Sequence, residues 1–168
     1  RFSDAAPGIW KLVVEPVQII DGRFHIWLPV RGFLSGEVYF LNSNPYYTLT
    51  APSDSVQPIS VSYYDSFNNG LALSSGRGFT RTEQVKPDFT APGISITGAL
   101  PGGQFESRSG SSTSVGITAG AAALLVEWHL QQKKIPSVST ALIKSLLTLG
   151  ATRNPDMKYP NREWGYGQ

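Results

Sequence analysis

A chain of 168 residues that is 40% hydrophobic and 15% charged is long enough for one ordinary core and too apolar to remain unfolded, which excludes a disordered segment or a charge-laced helical bundle. Its formal charge of +2 is carried without a dense Lys/Arg block, and it contains no cysteine. Nucleic acid is therefore not expected as a partner, and disulfides, thiolate catalysis and cysteine-ligated metals are excluded.

The opening RFSDAAPG lacks the apolar centre of a signal peptide, and no later run is long enough to span a bilayer. From Ile9 to Leu41 the chain reads as short strands: Ile9–Glu15, broken by Pro16, then Val17–Ile20 joined to Phe24–Leu28 across Asp21, Gly22 and Arg23. Asp-Gly between such runs signals a hairpin, because both residues tolerate the positive φ of a tight turn. In the second strand Phe24, Ile26 and Leu28 face one way and His25 and Trp27 the other. Arg31–Gly36 turns the chain into a further strand, Glu37–Leu41.

Asn42–Gln57 is polar and proline-punctuated and reads as a connection. Ile59–Tyr64 alternates as a strand with Ile59, Val61 and Tyr63 opposite Ser60, Ser62 and Tyr64. A Gly/Ser/Asn-rich stretch, Asp65–Gln84, precedes VKPDFTAPG, Val85–Gly93, whose two prolines forbid a helix. Extended structure resumes at Ile94–Ile96 and around Ala99 and Leu100. From Thr113 apolar residues recur three or four apart on nearly every side, so a core helix is predicted with only its C-terminal turn, from Glu127, meeting water and Pro136 ending it. A second helix is predicted from Ser139 to Leu149, with Leu142, Leu146 and Leu149 facing inward and Gly150 terminating it. The aromatic tail Tyr159–Gln168 is expected to pack. This inventory contains a core helix with too few elements to cover it, so further polypeptide or a second chain is expected to supply the rest.

The start of the first helix is the most informative stretch. SGSSTSVGITAG, Ser109–Gly120, holds six aliphatic hydroxyls. Ser, Thr and Gly are common there for a plain reason, since first-turn N–H groups need acceptors. A nucleophilic serine needs more: a base to take its proton, a carboxylate to orient that base, and N–H groups to favour the developing anion. Ser112 stands where such a serine would be exposed, and Gly116, Ala119 and Gly120 behind it permit close helix packing.

GSSTSVGITAG followed by AAALL resembles, without insertion or deletion, the serine motif of the subtilisin-like serine peptidases. Three further blocks agree in order: SSGRG at Ser74–Gly78, KPDFTAPG at Lys86–Gly93, and Tyr166-Gly167. The resemblance implies an α/β fold, the C-terminal part of a subtilisin-like parallel sheet, with Ser112 as the catalytic nucleophile. Ser111 stands for the usual threonine, and Gly116-Ile117 for a common Pro-His. The latter variant, with LVEW at Leu125–Trp128, is similar to the branch typified by clostridial spore-germination peptidases, whose members carry an inserted β jelly-roll domain. Residues 1–44 then correspond to the end of that insert and residues 45–168 to the C-terminal part of the peptidase domain. The branch also points to a secreted or spore-associated location.

In this family the aspartate, histidine and oxyanion asparagine precede the serine, and the resemblance places all three upstream of Arg1. His25 reads as a packing or surface residue. His129 lies 17 positions beyond Ser112, about 25 Å along a straight helix. Asp65, Asp88 and Asp156 are not assigned as the orienting acid, and Asp88, between prolines, reads as an acceptor for loop N–H groups. Arg77 reads as a loop-holding contact. No cofactor or transition-metal motif is present. The chain is thus expected to be a serine endopeptidase portion, inactive alone, with a polypeptide substrate and with the missing N-terminal portion or a second copy as partner. The competing expectation is a pseudoprotease or truncated remnant that binds or regulates, and a third is that Arg1 marks a cleavage point.

Overall fold

Alternation in Ile59–Tyr64 sets up the central strand of a small sheet. The computed structural model describes residues 6–29, 38–132 and 137–168, and the chain divides into two compact units, Arg1–Ser43 and Asn44–Gln168. In the second unit β1 (Val61–Asp65) lies between β2 (Gly70–Leu71) and β3 (Phe89–Pro92). β1 runs parallel to β3, with Val61 opposite Phe89 and Tyr64 opposite Pro92, and antiparallel to β2. A separate antiparallel hairpin follows, β4 (Ile96–Ala99) and β5 (Phe105–Arg108), with Ile96 opposite Arg108. It leads into α1 (Ser111–Gln131), and α2 (Thr140–Gly150) comes after.

Both faces of the β1–β3 pair are covered, as parallel strands require. Tyr63, Phe89 and Ala91 are buried apolar positions, and Ser60, Ser62 and Thr90 on the opposite parity are buried as well. The tail supplies partners for the Ser62 and Thr90 hydroxyls, whereas Ser60 Oγ is buried with no hydrogen-bond partner among the described residues. Ser62 Oγ donates to the Glu163 carbonyl at 2.8 Å and lies 2.5 Å from Thr90 Oγ1. Trp164, itself buried, tilts against Tyr64 at 5.6 Å. Tyr166 N–H donates to Asp88 O, and Thr90 N–H to Gly167 O, each at 2.8 Å. The passage is so close that a Cβ on Gly165, which has φ 56°, would fall 2.3 Å from Pro87 O. The expected packing of the aromatic tail is therefore a strand-like clamp.

α1 packs on β1 and β3, but not as its sequence predicts. Its buried residues are Ser114, Thr118 and His129, whereas Leu124 is 68% exposed and Val115 and Trp128 about half-exposed. Within Asn44–Gln168 the sheet covers one flank with small polar contacts, and the apolar flank meets no comparable layer. In α2, Ser139 is the N-cap, accepting from Leu142 N–H at 3.2 Å. The predicted inward stripe holds in part: Leu142 and Leu146 are half-buried, but Ile143 is the buried residue and Leu149 is 75% exposed. The neighbouring Lys144 reaches Val56 O at 2.6 Å and the buried Asp88 carboxylate at 3.6 Å. Gly150 is the last helical residue, without a left-handed conformation. Pro136 and the turn at Arg31–Gly36 lie outside the described residues.

Among the described residues, the strands predicted between Ile9 and Leu41 are not found. The described residues 6–29 and 38–43 contain no strand. A strand needs a neighbour to take its N–H and C=O groups, and an isolated hairpin is marginal in water. At the predicted Asp-Gly turn, the Asp21 carboxylate instead accepts from Arg23 N–H at 3.1 Å and from its guanidinium at 2.9 Å. The side-chain alternation does persist, since His25 and Trp27 stack with ring centroids 5.4 Å apart.

Candidate active site

Gly93 joins the end of β3 to the start of α1. Its N–H donates to Tyr64 O at 3.0 Å, and its carbonyl accepts from Gly110 N–H at 2.7 Å. A Cβ at Gly93 would fall 2.7 Å from Tyr63 Cβ, so glycine alone allows the approach. The N-terminus of α1 is thereby held beside the carboxyl end of β3, the edge at which α/β sheets present ligand-binding groups.

The hydroxyls of Ser109–Thr118 do not share one role. None caps the helix: the N-cap is Gly110, without a side-chain cap, and its carbonyl accepts from Thr113 N–H at 3.1 Å and Ser114 N–H at 3.4 Å. Ser109 Oγ accepts from Ser95 N–H at 2.8 Å. Ser114 is fully buried and donates to Ser62 O at 3.1 Å and Ala91 O at 3.3 Å, tying the first turn of α1 to both parallel strands. Thr118 Oγ1, one turn on, is buried with no hydrogen-bond partner among the described residues. Ser111 and Ser112 are exposed. Ser112 lies in the first turn, where N–H groups and the helix dipole favour negative charge, and its hydroxyl has no partner among the described residues. Sequence reasoning singled out Ser112 but had no signal for Ser109 or Ser114 as anchors, since their partners are 14 to 52 residues away.

The other candidates do not converge on Ser112 within Asn44–Gln168. His129 sits on the same helix, buried, with Nδ1 2.9 Å from Leu125 O and its ring edge-on to Trp128. His25 belongs to the Arg1–Ser43 unit. The Asp65 carboxylate closes its own turn, accepting from Phe67 N–H at 2.9 Å and Asn68 Nδ2 at 2.8 Å. Asp88 Oδ2 accepts from Ser60 N–H at 2.7 Å and Lys86 Nζ at 2.8 Å, the acceptor role expected of it. Asp156 is exposed in the loop before the tail. Arg77 meets Glu163 at 3.5 Å and holds its loop through Thr48. A cavity of about 220 Å³ lies between the tail and Asn69, away from α1. Among the described residues no cluster of three or more His, Cys, Asp or Glu could hold a metal, and no helix is long and apolar enough to cross a membrane.

The sequence profile of the peptidase S8 subtilase family matches residues 36–167. Membrane-bound transcription factor site-1 protease of Mus musculus is 33% identical over 134 residues, covering 76% of this chain and 12% of that protein. Subtilisin-like protease SBT3.16 of Arabidopsis thaliana is 34% identical over 107 residues, covering 62% of this chain and 13% of that protein. The chain thus spans about an eighth of the length of these curated relatives. Among solved structures, the CspB protease of Clostridium perfringens superposes with a TM-score of 0.70 at 37% identity, over 76% of this chain and 27% of that one. The family profile covers well over half of the chain, and the chain belongs to the subtilase family of peptidase S8.

Proposed function

We propose that the chain is the C-terminal part of a serine endopeptidase in which Ser112 is the nucleophile, with its base, orienting carboxylate and oxyanion amide supplied by polypeptide beyond these 168 residues. The single observation that carries this reading is an exposed, unengaged Ser112 hydroxyl in the first turn of a helix anchored at the carboxyl edge of a parallel pair. Ser112 Oγ attacks the substrate carbonyl while the base takes its proton. The carbonyl oxygen becomes an anion facing the first-turn N–H groups, and collapse expels the amine, protonated by the same base, to leave an acyl-enzyme that water hydrolyses. Without a base in reach, the isolated chain is inactive. Residues 1–44 are the end of an inserted jelly-roll-like domain whose strands form only with their own neighbours, and residues 45–168 are peptidase. The exposed flank of α1 is where the rest of the peptidase, or a second copy, packs.

The test is active-site labelling of the full-length protein with a fluorophosphonate, read by peptide mass. The expected result is one adduct on Ser112, absent from a folded Ser112→Ala variant. A folded protein that takes no label supports the alternative, a pseudoprotease that binds or regulates, and overturns the catalytic reading.

A further inference from the structure

The β4–β5 hairpin is exposed along almost its entire length, yet it delivers the chain directly to Gly110 and Ser112. Two contacts fix its base. One is the backbone bond from Gly110 N–H to Gly93 O at 2.7 Å. The other is unusual in kind. Beyond the Ile96–Arg108 pair, the next rung of an antiparallel ladder would bring Ser95 against Ser109 through the backbone. Instead Ser95 takes a left-handed conformation, φ 53°, and its N–H donates to the Ser109 side-chain oxygen at 2.8 Å. The hydroxyl replaces a carbonyl in the ladder, which releases the Ser109 backbone to turn through Gly110, φ 144°, into α1. The left-handed state of a non-glycine residue costs free energy and persists only when its surroundings hold it.

Resting on the assignment of Ser112 as nucleophile, we propose that Ser109 is a positioning residue: its hydroxyl, by holding Ser95 N–H, sets the backbone direction at Gly110 and hence the placement of Ser112 Oγ and the first-turn N–H groups. It touches no reacting atom. Ser114 anchors the same turn from the opposite side, through the strand carbonyls. The nucleophile thus lies between two hydroxyl ties, one exposed and one buried.

The experiment is fluorophosphonate labelling kinetics on the full-length protein, separating the maximal labelling rate from the half-saturating probe concentration. Displacement of a reacting group by an ångström costs up to about a hundredfold, so Ser109→Ala is expected to lower the maximal rate about tenfold while half-saturation stays unchanged. Ser109→Thr, which keeps the oxygen, restores the rate. Ser53→Ala, which removes another exposed hydroxyl bond, to Thr50 O at 2.7 Å, leaves it unchanged. Amide exchange at Ser95 accelerates in Ser109→Ala and returns to normal in Ser109→Thr. Labelling of Ser109→Ala at the wild-type rate overturns this inference alone. A wild-type protein that takes no label overturns the nucleophile assignment and this inference with it.

Discussion

Ser114 shows how much a single hydroxyl can decide. Hydrophobic periodicity counts it as a polar interruption, yet it is the most deeply buried residue of α1 and bridges β1 and β3. A net hydrogen bond contributes about 0.5–1.5 kcal/mol, so Ser114→Ala is expected to lower stability by about 1–2 kcal/mol, read from the denaturant midpoint at unchanged m-value. The motif spacing made Ser112 legible, because a nucleophile is recognised by its local chain geometry. Ser109 and Ser114 were not legible as anchors, because their roles depend on carbonyls and N–H groups brought close only by the fold.

At the level of elements, α2 keeps only part of its predicted stripe and carries a charge beside its buried residue. Of the predicted face Leu142 and Leu146 are half-buried and Leu149 is exposed, while Ile143 is buried and the Lys144 ammonium reaches Val56 O and Asp88. Burial lowers the Lys144 pKa below the ordinary 10.5, Asp88 opposes that shift, and Lys86 adds to it. Below the lowered value both folded and unfolded chains hold the proton. Between that value and about 10.5 the unfolded chain binds more protons, so this group makes stability rise with pH across the window and level off above it. Lys144→Met is expected to remove that rise, measured as the difference in urea midpoint between variant and wild type from pH 8 upward. α1 starts at Ser111, two residues before the predicted Thr113, and ends at Gln131, but that both segments are helices was readable from periodicity. Which face turns inward was not, since this depends on the neighbour the helix meets.

For the molecule as a whole, the Asn44–Gln168 unit is tied together by polar contacts between distant segments. Gly78 N–H donates to Arg162 O at 2.8 Å, and the Arg162 guanidinium lies over Tyr47 at 4.8 Å and near Tyr46 and Phe79. These contacts join the entry segment, the serine-arginine-glycine loop and the tail. The apolar flank of α1 is different. Gly116 and Gly120 have nothing within 4 Å of an added Cβ, and Leu124 projects into solvent. If the rest of the peptidase covers this flank, Leu124→Ala in the full-length protein is expected to cost about 2–5 kcal/mol, as for a buried leucine. In the 168-residue chain the same change is expected to stay within about 0.5 kcal/mol. Equal small effects in both, measured by denaturant titration, would show that the flank remains uncovered.

The sequence by itself determined the order of the blocks, the helical start at the serine motif, the exclusion of a helix from the proline-bounded segment before it and the family to which the chain belongs. These rest on local backbone chemistry: glycines where chains must touch, prolines where helices cannot form, and a period that changes at Thr113. Only the tertiary structure decided that α1 buries its hydroxyls and exposes its leucines, that the tail closes over β3, and that Ile9–Leu41 forms no described strand. Each of those outcomes depends on which surface lies opposite. Burial and strand pairing are properties of two partners, and a single stretch of sequence specifies only one.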